Sequence, residues 1–403
     1  MSPESPLADY SLYVHVPFCR SMCDYCDFYS VLLPAGGEGK ALVDRYITTL
    51  AADARRLFEE FPPTAIPTVY IGGGTPSVLG AEGIGRLFGA LGELPGRDRE
   101  WTVEANPESL DAEFLQACRE AGVNRLSLGV QSFSSRLRAL VHRAGRVEAL
   151  ERALDLAARF FPRSFSADLL TGLPGQDLKG LLEDIARLLS FHPGHVSLYA
   201  LTLEEGTPLW ARAAELPGRD KADHLWISGR DALERSGYTQ YEVSNFSLPG
   251  QESRHNLRYW GMKNWLALGP SGSGTLIDDR KGAGLRLSWP ENLALWLSGD
   301  SGWTGRLEQE NLDRLSLMKE SLLMGFRLSR GPDAPLFTRR FGLSPENAVP
   351  KTLAKWRARG LVGPGPADSP AESGPALTRE GLLFLNSFLA DVFEELDCLA
   401  TDS

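Results

Sequence analysis

The chain has 403 residues, with 42 lysines and arginines, 52 aspartates and glutamates, and a formal net charge of −10. Its length predicts two to four domains, or one large barrel with an appendage, and 43% hydrophobic residues suffice for a sizeable core. The acidic balance argues against a nucleic-acid-binding protein. Five cysteines are too few, and too odd in number, for a disulfide scaffold.

The amino-terminal residues carry no targeting pattern. Met1 to Asp9 include two acidic residues and two prolines but neither a basic region nor an apolar core, so we expect no signal peptide. No run of 18 apolar residues occurs, so we expect no transmembrane segment. These features predict a cytoplasmic, reduced protein, in which clustered cysteines more often bind metal or react than form disulfides.

Six short runs rich in β-forming residues alternate with longer stretches of helical spacing. The predicted strands are Leu12–Val16, Thr68–Ile71, Trp101–Glu104, Arg125–Gly129, Phe165–Leu170 and Val196–Leu201. Helices predicted between them include Ala41–Phe61 and Glu108–Ala121, the second ended by Gly122. This alternation predicts parallel βαβ units, and hence an α/β fold with a partial (β/α)6 barrel over residues 1–210. In such folds the chemistry lies in loops at the carboxyl ends of the strands.

The pattern changes after residue 210. Residues 211–305 contain a predicted helix at Lys221–Gly237 and a polar, aromatic stretch, and we expect them to close the barrel. Residues 306–403 predict a small helical domain with helices at Asn311–Leu328, Phe337–Phe341, Pro350–Arg359 and Thr378–Leu396. Within this domain Val362–Pro375 holds four prolines and three glycines, which predicts a flexible turn or β-wing and a winged-helix-like module.

Three cysteines, Cys19, Cys23 and Cys26, follow the first predicted strand with the spacing Cys-x3-Cys-x2-Cys. Thiolates are soft ligands that favour zinc, copper(I) or iron–sulfur centres. Structural zinc usually takes four ligands in two pairs, and no second pair exists, since Cys118 lies in a predicted helix and Cys398 in the tail. The last two cysteines of the cluster are also compatible with a redox pair. Three thiolates on a [4Fe–4S] cluster leave one iron open for a ligand.

The motif, with the aromatic Tyr25 before its last cysteine, resembles the signature of the radical S-adenosylmethionine (SAM) superfamily. The resemblance implies that the open iron binds the amino and carboxylate groups of SAM, and that an electron from the cluster cleaves SAM to a 5′-deoxyadenosyl radical. The stretch from Gly72 to Pro76, with sequence Gly-Gly-Gly-Thr-Pro, is similar to the superfamily segment that contacts the SAM amino group. Glycines allow the backbone to approach such a ligand closely.

Segments further along the chain narrow the resemblance to the oxygen-independent coproporphyrinogen dehydrogenases and their HemW-type haem-chaperone relatives. These segments contain Glu104, Gln131 and Asp168, which we place at successive strand ends. Carried onto this sequence, the resemblance implies a SAM site formed by Tyr13, Gly73, Gly74, Thr75, Glu104, Gln131, Arg143, Asp168 and Ala200.

Three features favour the HemW type over the dehydrogenase type. Cys26 is followed by Asp-Phe, whereas the dehydrogenases continue with Cys-x-Cys, and only 18 residues precede Cys19. Arg254–Trp260 is similar to the HemW-type His-Asn-x-x-Tyr-Trp motif that is associated with haem, which makes His255 a predicted haem contact. The alternative for this motif is a hydrogen-bonded element of the core.

Three positions depart from the family pattern. A histidine usual two residues after Arg143 is Gly145, a cysteine often found before Arg-His-Asn is Ser253, and a histidine near Gly269 is Ser273. These departures concern haem or substrate contacts and leave the predicted SAM residues whole.

The sequence therefore predicts a HemW-like haem chaperone that binds a [4Fe–4S] cluster, SAM and haem. The resemblance implies an acceptor protein for the haem, such as a membrane-associated respiratory enzyme. Three alternatives stay open: an oxygen-independent coproporphyrinogen III dehydrogenase, a radical SAM methyltransferase on the same scaffold, and a structural zinc protein.

Overall fold

The structure, a computed structural model, describes residues 9–298, 306–365 and 374–401. Residues 1–8, which carry most of the targeting prediction, and residues 366–373 at the tip of the predicted wing lie outside this part. The strands are β1 Ser11–Val16, β2 Phe18–Cys19, β3 Val31–Leu32, β4 Thr68–Gly73, β5 Glu100–Ala105, β6 Arg125–Gln131, β7 Phe165–Thr171, β8 His195–Ala200, β9 Thr239–Gln240, β10 Asn245–Ser247, β11 Trp265–Leu268, β12 Ser273–Asp278, β13 Ala283–Ser288, β14 Glu308–Leu312, β15 Val362–Pro364 and β16 Pro375–Leu377.

The helices are α1 Gly36–Glu60, α2 Gly80–Leu91, α3 Ala112–Glu120, α4 Ser135–Leu140, α5 Val147–Phe160, α6 Leu178–Leu189, α7 Arg219–Arg235, α8 Arg254–Trp260, α9 Leu293–Ser298, α10 Arg314–Gly325, α11 Ala334–Phe341, α12 Pro345–Ala348, α13 Pro350–Arg357 and α14 Leu385–Thr401. No helix of the described residues has the length and apolar character needed to cross a membrane.

A twelve-stranded sheet forms the framework, in the order β14-β13-β12-β11-β1-β4-β5-β6-β7-β8-β10-β9. The six strands from β1 to β8 in this order pair in parallel, as predicted for the partial barrel. A seventh strand, β11, also pairs in parallel with β1, and it was not predicted. The antiparallel strands β12, β13 and β14 extend the sheet beyond it.

Side chains alternate strictly between the two faces of the barrel strands, as the pleat requires. In β7, Phe165, Ala167 and Leu169 are fully buried in the apolar layer beneath the helices. The intervening Ser166 and Asp168 face the barrel interior. The outer layer contributes stability through apolar burial, at about 1.5–3 kcal/mol for each large side chain. The inner face is thereby left free to carry polar groups.

A second apolar core lies in the carboxy-terminal helical domain. Leu322 and Phe326 of the α10 region pack with Trp356 and Phe388 of later helices. The strands β15 and β16 form an antiparallel hairpin, as expected for a wing. The predicted helix at Asn311–Leu328 is wrong at its start, because its first two residues belong to β14 and pair with β13.

Helix starts depend on capping side chains that periodicity does not locate. The predicted helix Glu108–Ala121 begins only at Ala112, because the Asp111 carboxylate caps it by accepting a hydrogen bond from the Phe114 amide at 2.8 Å.

The predicted strand end at Asp168 is also wrong, since this residue lies in the middle of β7, between Ala167 and Leu169.

A buried ion pair joins the first helix to the chain beyond the barrel. Asp53 of α1 is fully buried, and its two carboxylate oxygens accept hydrogen bonds from Arg306 at 2.7 and 3.3 Å. We expect Asp53→Ala to lower the free energy of unfolding by about 3–5 kcal/mol, because it leaves a buried guanidinium without its counter-charge. Denaturant unfolding of the purified protein measures this loss.

Asp44 on the same helix is the matched control. It pairs with Arg86 at a position where both side chains are about two-fifths exposed. Asp44→Ala should cost no more than about 1 kcal/mol. Equal losses for the two variants would contradict the importance of the buried pair.

Candidate functional site

A cavity of about 410 Å³ opens at the carboxyl ends of the barrel strands and extends into the barrel. It gathers most of the residues predicted from sequence. Those that line it are Cys19, Cys23, Cys26, Gly73, Gly74, Thr75, Glu104, Gln131, Arg143, Asp168 and Ala200. Tyr13 and His255 do not line it.

The three cysteines lie on the loop that leaves β1, and all three are free thiols of intermediate exposure. Burial raises the pKa of the Cys26 thiol to about 11, and it also raises the pKa of Cys19. Iron binding would reverse this, because a metal ligates the thiolate and releases the proton. Among the described residues, no group of three or more His, Cys, Asp or Glu side chains is placed to hold a metal ion. Three soft donors that line one cavity fit a [4Fe–4S] cluster, which takes thiolate ligands and can leave one iron open.

Asp24, which directly follows Cys23, anchors the cysteine loop. Its backbone amide donates to the Val141 carbonyl at 3.1 Å, and its carbonyl accepts from the Leu209 amide at 2.9 Å. Its carboxylate contacts His142 and Arg212, each at 2.7 Å. The loop is thus held from two other segments of the chain.

A polar chain links two of the cysteines across the cavity wall. The Thr75 hydroxyl lies 3.6 Å from the Cys19 sulfur, and it accepts a hydrogen bond from the Asn106 amide at 2.9 Å. The side-chain oxygen of Asn106 accepts a hydrogen bond from Arg143 at 2.6 Å, and Arg143 also donates to the Cys23 sulfur at 3.7 Å. This arrangement positions donors toward sulfur, as a charged cluster requires.

The glycine run after β4 is shaped by two close approaches. Gly73 has a φ of 108°, which favours glycine, and its amide donates to a Glu104 carboxylate oxygen at 3.2 Å. A Cβ on Gly74 would lie 2.8 Å from the Phe18 carbonyl oxygen. Larger residues would push the run away from the cysteine loop, so these glycines form a cradle beside it.

Two carboxylates, Glu104 on β5 and Asp168 on β7, face the interior from the two strands that flank β6. Burial raises the pKa of Glu104 to about 7, an effect opposed by the Tyr70 hydroxyl that donates to it at 2.6 Å. Burial likewise raises the pKa of Asp168 to about 6. Such carboxylates favour a bound cation, because the positive charge offsets the loss of solvation of the ionised form.

Gln131 and Ala200 end β6 and β8 at the cavity. Gln131 has a φ of 69°, at a register irregularity where β6 bulges against β7. A non-glycine residue in this region is strained, and bulges of this kind redirect side chains next to functional sites. Gln131 lines the cavity together with Arg125, Ser127 and Gly129, which alternate along the same face of β6.

Tyr13 and His255 are placed outside the cavity. Tyr13 stacks on Tyr70 with ring centroids 6.2 Å apart, and its hydroxyl contacts His15 at 3.1 Å. Tyr13 therefore lies directly beside Tyr70, which lines the cavity.

His255 lies at the opposite end of the barrel from the cysteines. Its Nδ1 is 2.9 Å from the Thr68 hydroxyl, at the first residue of β4, and its amide donates at 2.8 Å to Glu100, the first residue of β5. Burial lowers the pKa of its imidazole to about 3. In this position α8 covers the amino-terminal ends of the strands, and it matches the core alternative for the motif.

The three departures from the family pattern each have a structural setting. Gly145 has a φ of 87°, which disfavours side chains. Ser253 caps α8 by accepting from the Asn256 amide at 3.3 Å. Ser273 begins β12, where its hydroxyl meets that of Ser288 at 3.0 Å.

Sequence reasoning missed most of the other residues that line the cavity, among them Tyr70, Asn106 and Arg125. Tyr70 alternates with apolar neighbours in β4, so its pattern is that of an ordinary strand residue. Asn106 directly precedes Pro107, which is typical of a turn. Only the period-two pattern of polar residues on the inner face could have identified Tyr70 and Arg125.

Residues 13–188 match the radical SAM superfamily, and residues 312–363 match the HemN C-terminal domain. The solved structure of coproporphyrinogen III oxidase (HemN) from Escherichia coli, a radical SAM enzyme, superposes with a TM-score of 0.81. The superposition covers 97% of this chain and 91% of that one, at 22% identity, and it supports the fold alone.

Several relatives match along most of their length. The chain is 35% identical over 345 residues to the heme chaperone HemW of Lactococcus lactis subsp. lactis, covering 83% of this chain and 86% of that one. It is 30% identical over 393 residues to the heme chaperone HemW of Bacillus subtilis, covering 96% and 100%. It is 35% identical over 343 residues to the mitochondrial radical S-adenosyl methionine domain-containing protein 1 of Mus musculus, covering 82% and 76%.

The partial barrel, the three-cysteine loop and the match over residues 13–188 define the class, the radical SAM proteins. Two of the relatives described are heme chaperones HemW, and the similarity extends through both proteins. The chain belongs to the HemW family.

Asn106 is the centre of the polar chain between the cysteines. We expect Asn106→Ala to release both Thr75 and Arg143, and so to make a reconstituted cluster at least about threefold more labile, since outer partners of metal sites typically contribute 10–100-fold in affinity. The measurement is the rate of loss of iron–sulfur absorbance under a chelator. Asn106→Asp keeps an acceptor for Arg143 and should be less labile than the alanine variant. Equal rates in all three proteins would refute this role.

Proposed function

We propose that this protein is a haem chaperone of the HemW type, which binds a [4Fe–4S] cluster, SAM and haem and delivers the haem to an acceptor protein. The similarity to the proteins named heme chaperone HemW, along nearly their whole length, carries the proposal. The three-cysteine loop and the cavity beside it provide the chemical setting.

In this proposal Cys19, Cys23 and Cys26 hold the cluster. A cluster with three protein ligands leaves one iron free to bind the amino and carboxylate groups of SAM, and it supplies an electron to the bound SAM. Arg143, buried beside the Cys23 sulfur, stabilises the negative charge of the thiolate. Asp24 keeps the loop in place from outside the cavity.

The cavity residues bind and orient SAM. The Gly73–Gly74 cradle gives the amino acid end of SAM close access to the backbone, and Glu104 accepts from its ammonium group. Asp168, Gln131 and Ala200 line the wall on which the nucleoside end would lie. Tyr13 acts only indirectly, through Tyr70 and the carboxylate of Glu104.

Delivery of haem requires an acceptor, which we propose to be a haem-dependent protein such as a membrane-associated respiratory enzyme. The net charge of −10 suits a cytoplasmic carrier that meets the membrane only through its acceptor. It gives no reason to expect nucleic acid as a partner. We place residues 1–210, 211–305 and 306–403 as barrel, closing segment and HemN-type domain.

A second candidate is coproporphyrinogen III dehydrogenation, which the match of residues 312–363 to the HemN C-terminal domain favours. Both candidates use the same cluster and SAM residues. Anaerobic incubation with coproporphyrinogen III, SAM and a reductant separates them, because only the dehydrogenase forms a decarboxylated product. A methyltransferase of the same scaffold would instead yield a methylated product.

Glu104 gives the SAM site a specific pH dependence. With a pKa of about 7 in the empty protein, Glu104 is protonated below pH 7 and must lose that proton to accept an ammonium group. SAM binding should therefore weaken as the pH falls below 7, by up to about tenfold per unit. Isothermal titration of the cluster-loaded protein from pH 6 to 8 measures it.

Two glutamine variants control this prediction. Glu104→Gln should weaken SAM binding by about 10–100-fold at pH 8 and flatten the pH dependence, because a charge-assisted hydrogen bond is lost. Glu242 also has a pKa raised to about 7 by burial, but it lies outside the cavity. Glu242→Gln should leave the pH dependence unchanged, and a flat profile in the unmodified protein would oppose the assignment.

Anaerobic reconstitution with iron and sulfide, followed by haem titration, tests the function as a whole. Replacement of Cys19, Cys23 and Cys26 by alanine should abolish the iron–sulfur absorbance, because every thiolate ligand is removed. Cys398, which is exposed on α14, is the control, and Cys398→Ala should keep the full cluster.

The cluster-loaded protein should show a Soret change on titration with haem and should transfer the haem to an apo-acceptor. An unmodified protein without a Soret change would exclude the chaperone. Zinc without iron in the purified protein would favour the structural zinc alternative.

A further inference from the structure

We propose that His142 is the residue that ligates the iron of the transported haem, on the outer side of the cysteine loop. This inference rests on the proposed chaperone function and assigns to it a binding residue. It differs from the motif-based expectation that pointed to His255.

The buried histidines are poor candidates for haem ligation. Both ring nitrogens of His15 are engaged, by the Tyr13 hydroxyl and the Tyr29 carbonyl, at 3.1 and 2.8 Å. Those of His195 contact a serine and a tyrosine hydroxyl at 2.7 and 2.8 Å. His255 is 8% exposed, bonds to a threonine hydroxyl and packs on a tyrosine ring 5.1 Å away. A porphyrin could reach none of the three without unfolding the end of the barrel.

The side chain of His142 has the geometry of histidines that ligate metals. Its side chain is 71% exposed, and its Nδ1 lies 2.7 Å from a carboxylate oxygen of Asp24. Because a carboxylate only accepts hydrogen bonds, Nδ1 carries the proton and the Nε2 lone pair is left for another partner. Histidines that ligate metals almost always donate their second nitrogen to a carboxylate or carbonyl in this way.

The carboxylate that orients His142 is itself immobilised. Asp24 is 9% exposed in its side chain, and its second oxygen accepts from Arg212 at 2.7 Å. The backbone amide of Asp24 bonds to the carbonyl of Val141, the residue before His142. His142 also has a φ of 48°, a left-handed conformation that a histidine adopts at a cost. The structure thus holds an exposed imidazole in a defined direction.

Apolar side chains near this position suit a porphyrin. Trp210 is 48% exposed and follows Leu209, whose amide bonds to the Asp24 carbonyl. On the cysteine loop that also carries Asp24, Phe28 is 66% exposed and Met22 is 40% exposed, and both line the cavity side of the loop. Exposed aromatic and thioether groups of this kind pack against flat apolar ligands.

The other exposed histidines lack this arrangement. Within the described residues, neither His192 nor His224 pairs with a carboxylate. His192 is nevertheless a close match for His142 in backbone, because its φ is 56° and it too is exposed. It therefore provides the control for the experiment.

Haem titration of the cluster-loaded full chain tests the inference with His142→Asn. Asparagine tolerates the left-handed backbone and keeps an N–H donor for Asp24, but it cannot ligate iron through an imidazole. We expect at least a tenfold loss of haem affinity and loss of the histidine-type Soret spectrum, with the iron–sulfur absorbance unchanged. His192→Asn should bind haem as the unmodified protein does.

Addition of free imidazole to His142→Gly should restore the haem spectrum, since the glycine leaves room at a backbone that it accepts readily. Unchanged haem binding in His142→Asn, with loss in His255→Asn, would overturn the inference and leave the chaperone function standing. Loss of haem together with the cluster in both His142 variants, without recovery on imidazole, would assign His142 to anchoring the loop and overturn it too. An unmodified protein that binds no haem would overturn the inference and the function together.

Discussion

The buried guanidinium of Arg143 is the interaction on which the cavity depends. It donates to the Gly129 carbonyl of β6 and to the Asn106 side chain after β5, each at 2.6 Å, and it reaches the Cys23 sulfur. A positive charge in this position compensates for the burial of thiols beside a barrel wall. It also ties two strands and the cysteine loop to a single group, so the loop cannot shift independently of the sheet. Lysine would not replace it, because one guanidinium nitrogen of Arg143 reaches the Cys23 sulfur while the other serves the two oxygens, and an ammonium group has a single nitrogen.

The two ends of the barrel perform different tasks. At the carboxyl ends of the strands the chain presents thiols, a glycine cradle and two carboxylates. At the amino-terminal ends α8 docks on Thr68 and Glu100 and covers the interior. The motif that family resemblance associates with haem therefore covers the amino-terminal ends of the strands here. The exposed imidazole of His142 lies beside the cysteine loop.

The six barrel strands could be predicted because each one buries apolar residues beneath helices, which leaves a strong local pattern. The strand β14 could not, since four of its five residues are exposed and only pairing with β13 makes it a strand. For the site, the cysteine loop and the glycine run could be predicted from the sequence, because their chemistry restricts the residue types at those positions. The location of His255 was not, because it depends on where α8 docks, far from β4 in sequence. Asn106 was missed because an amide before a proline is common in turns, and its two hydrogen bonds exist only in the folded barrel.

The pairing of β1 with β11 has a consequence for the order in which this protein assembles. Ser11 faces Trp265 in the register of the two strands, so about 250 residues separate partners in the same sheet. Contacts between residues so far apart in sequence form late, because closing a long loop costs chain entropy before the contacts can stabilise the fold. During synthesis the cysteine loop can pack against β4 well before the seventh strand exists. The nascent barrel thus keeps an open edge along its first strand until β11 is synthesised and pairs with it.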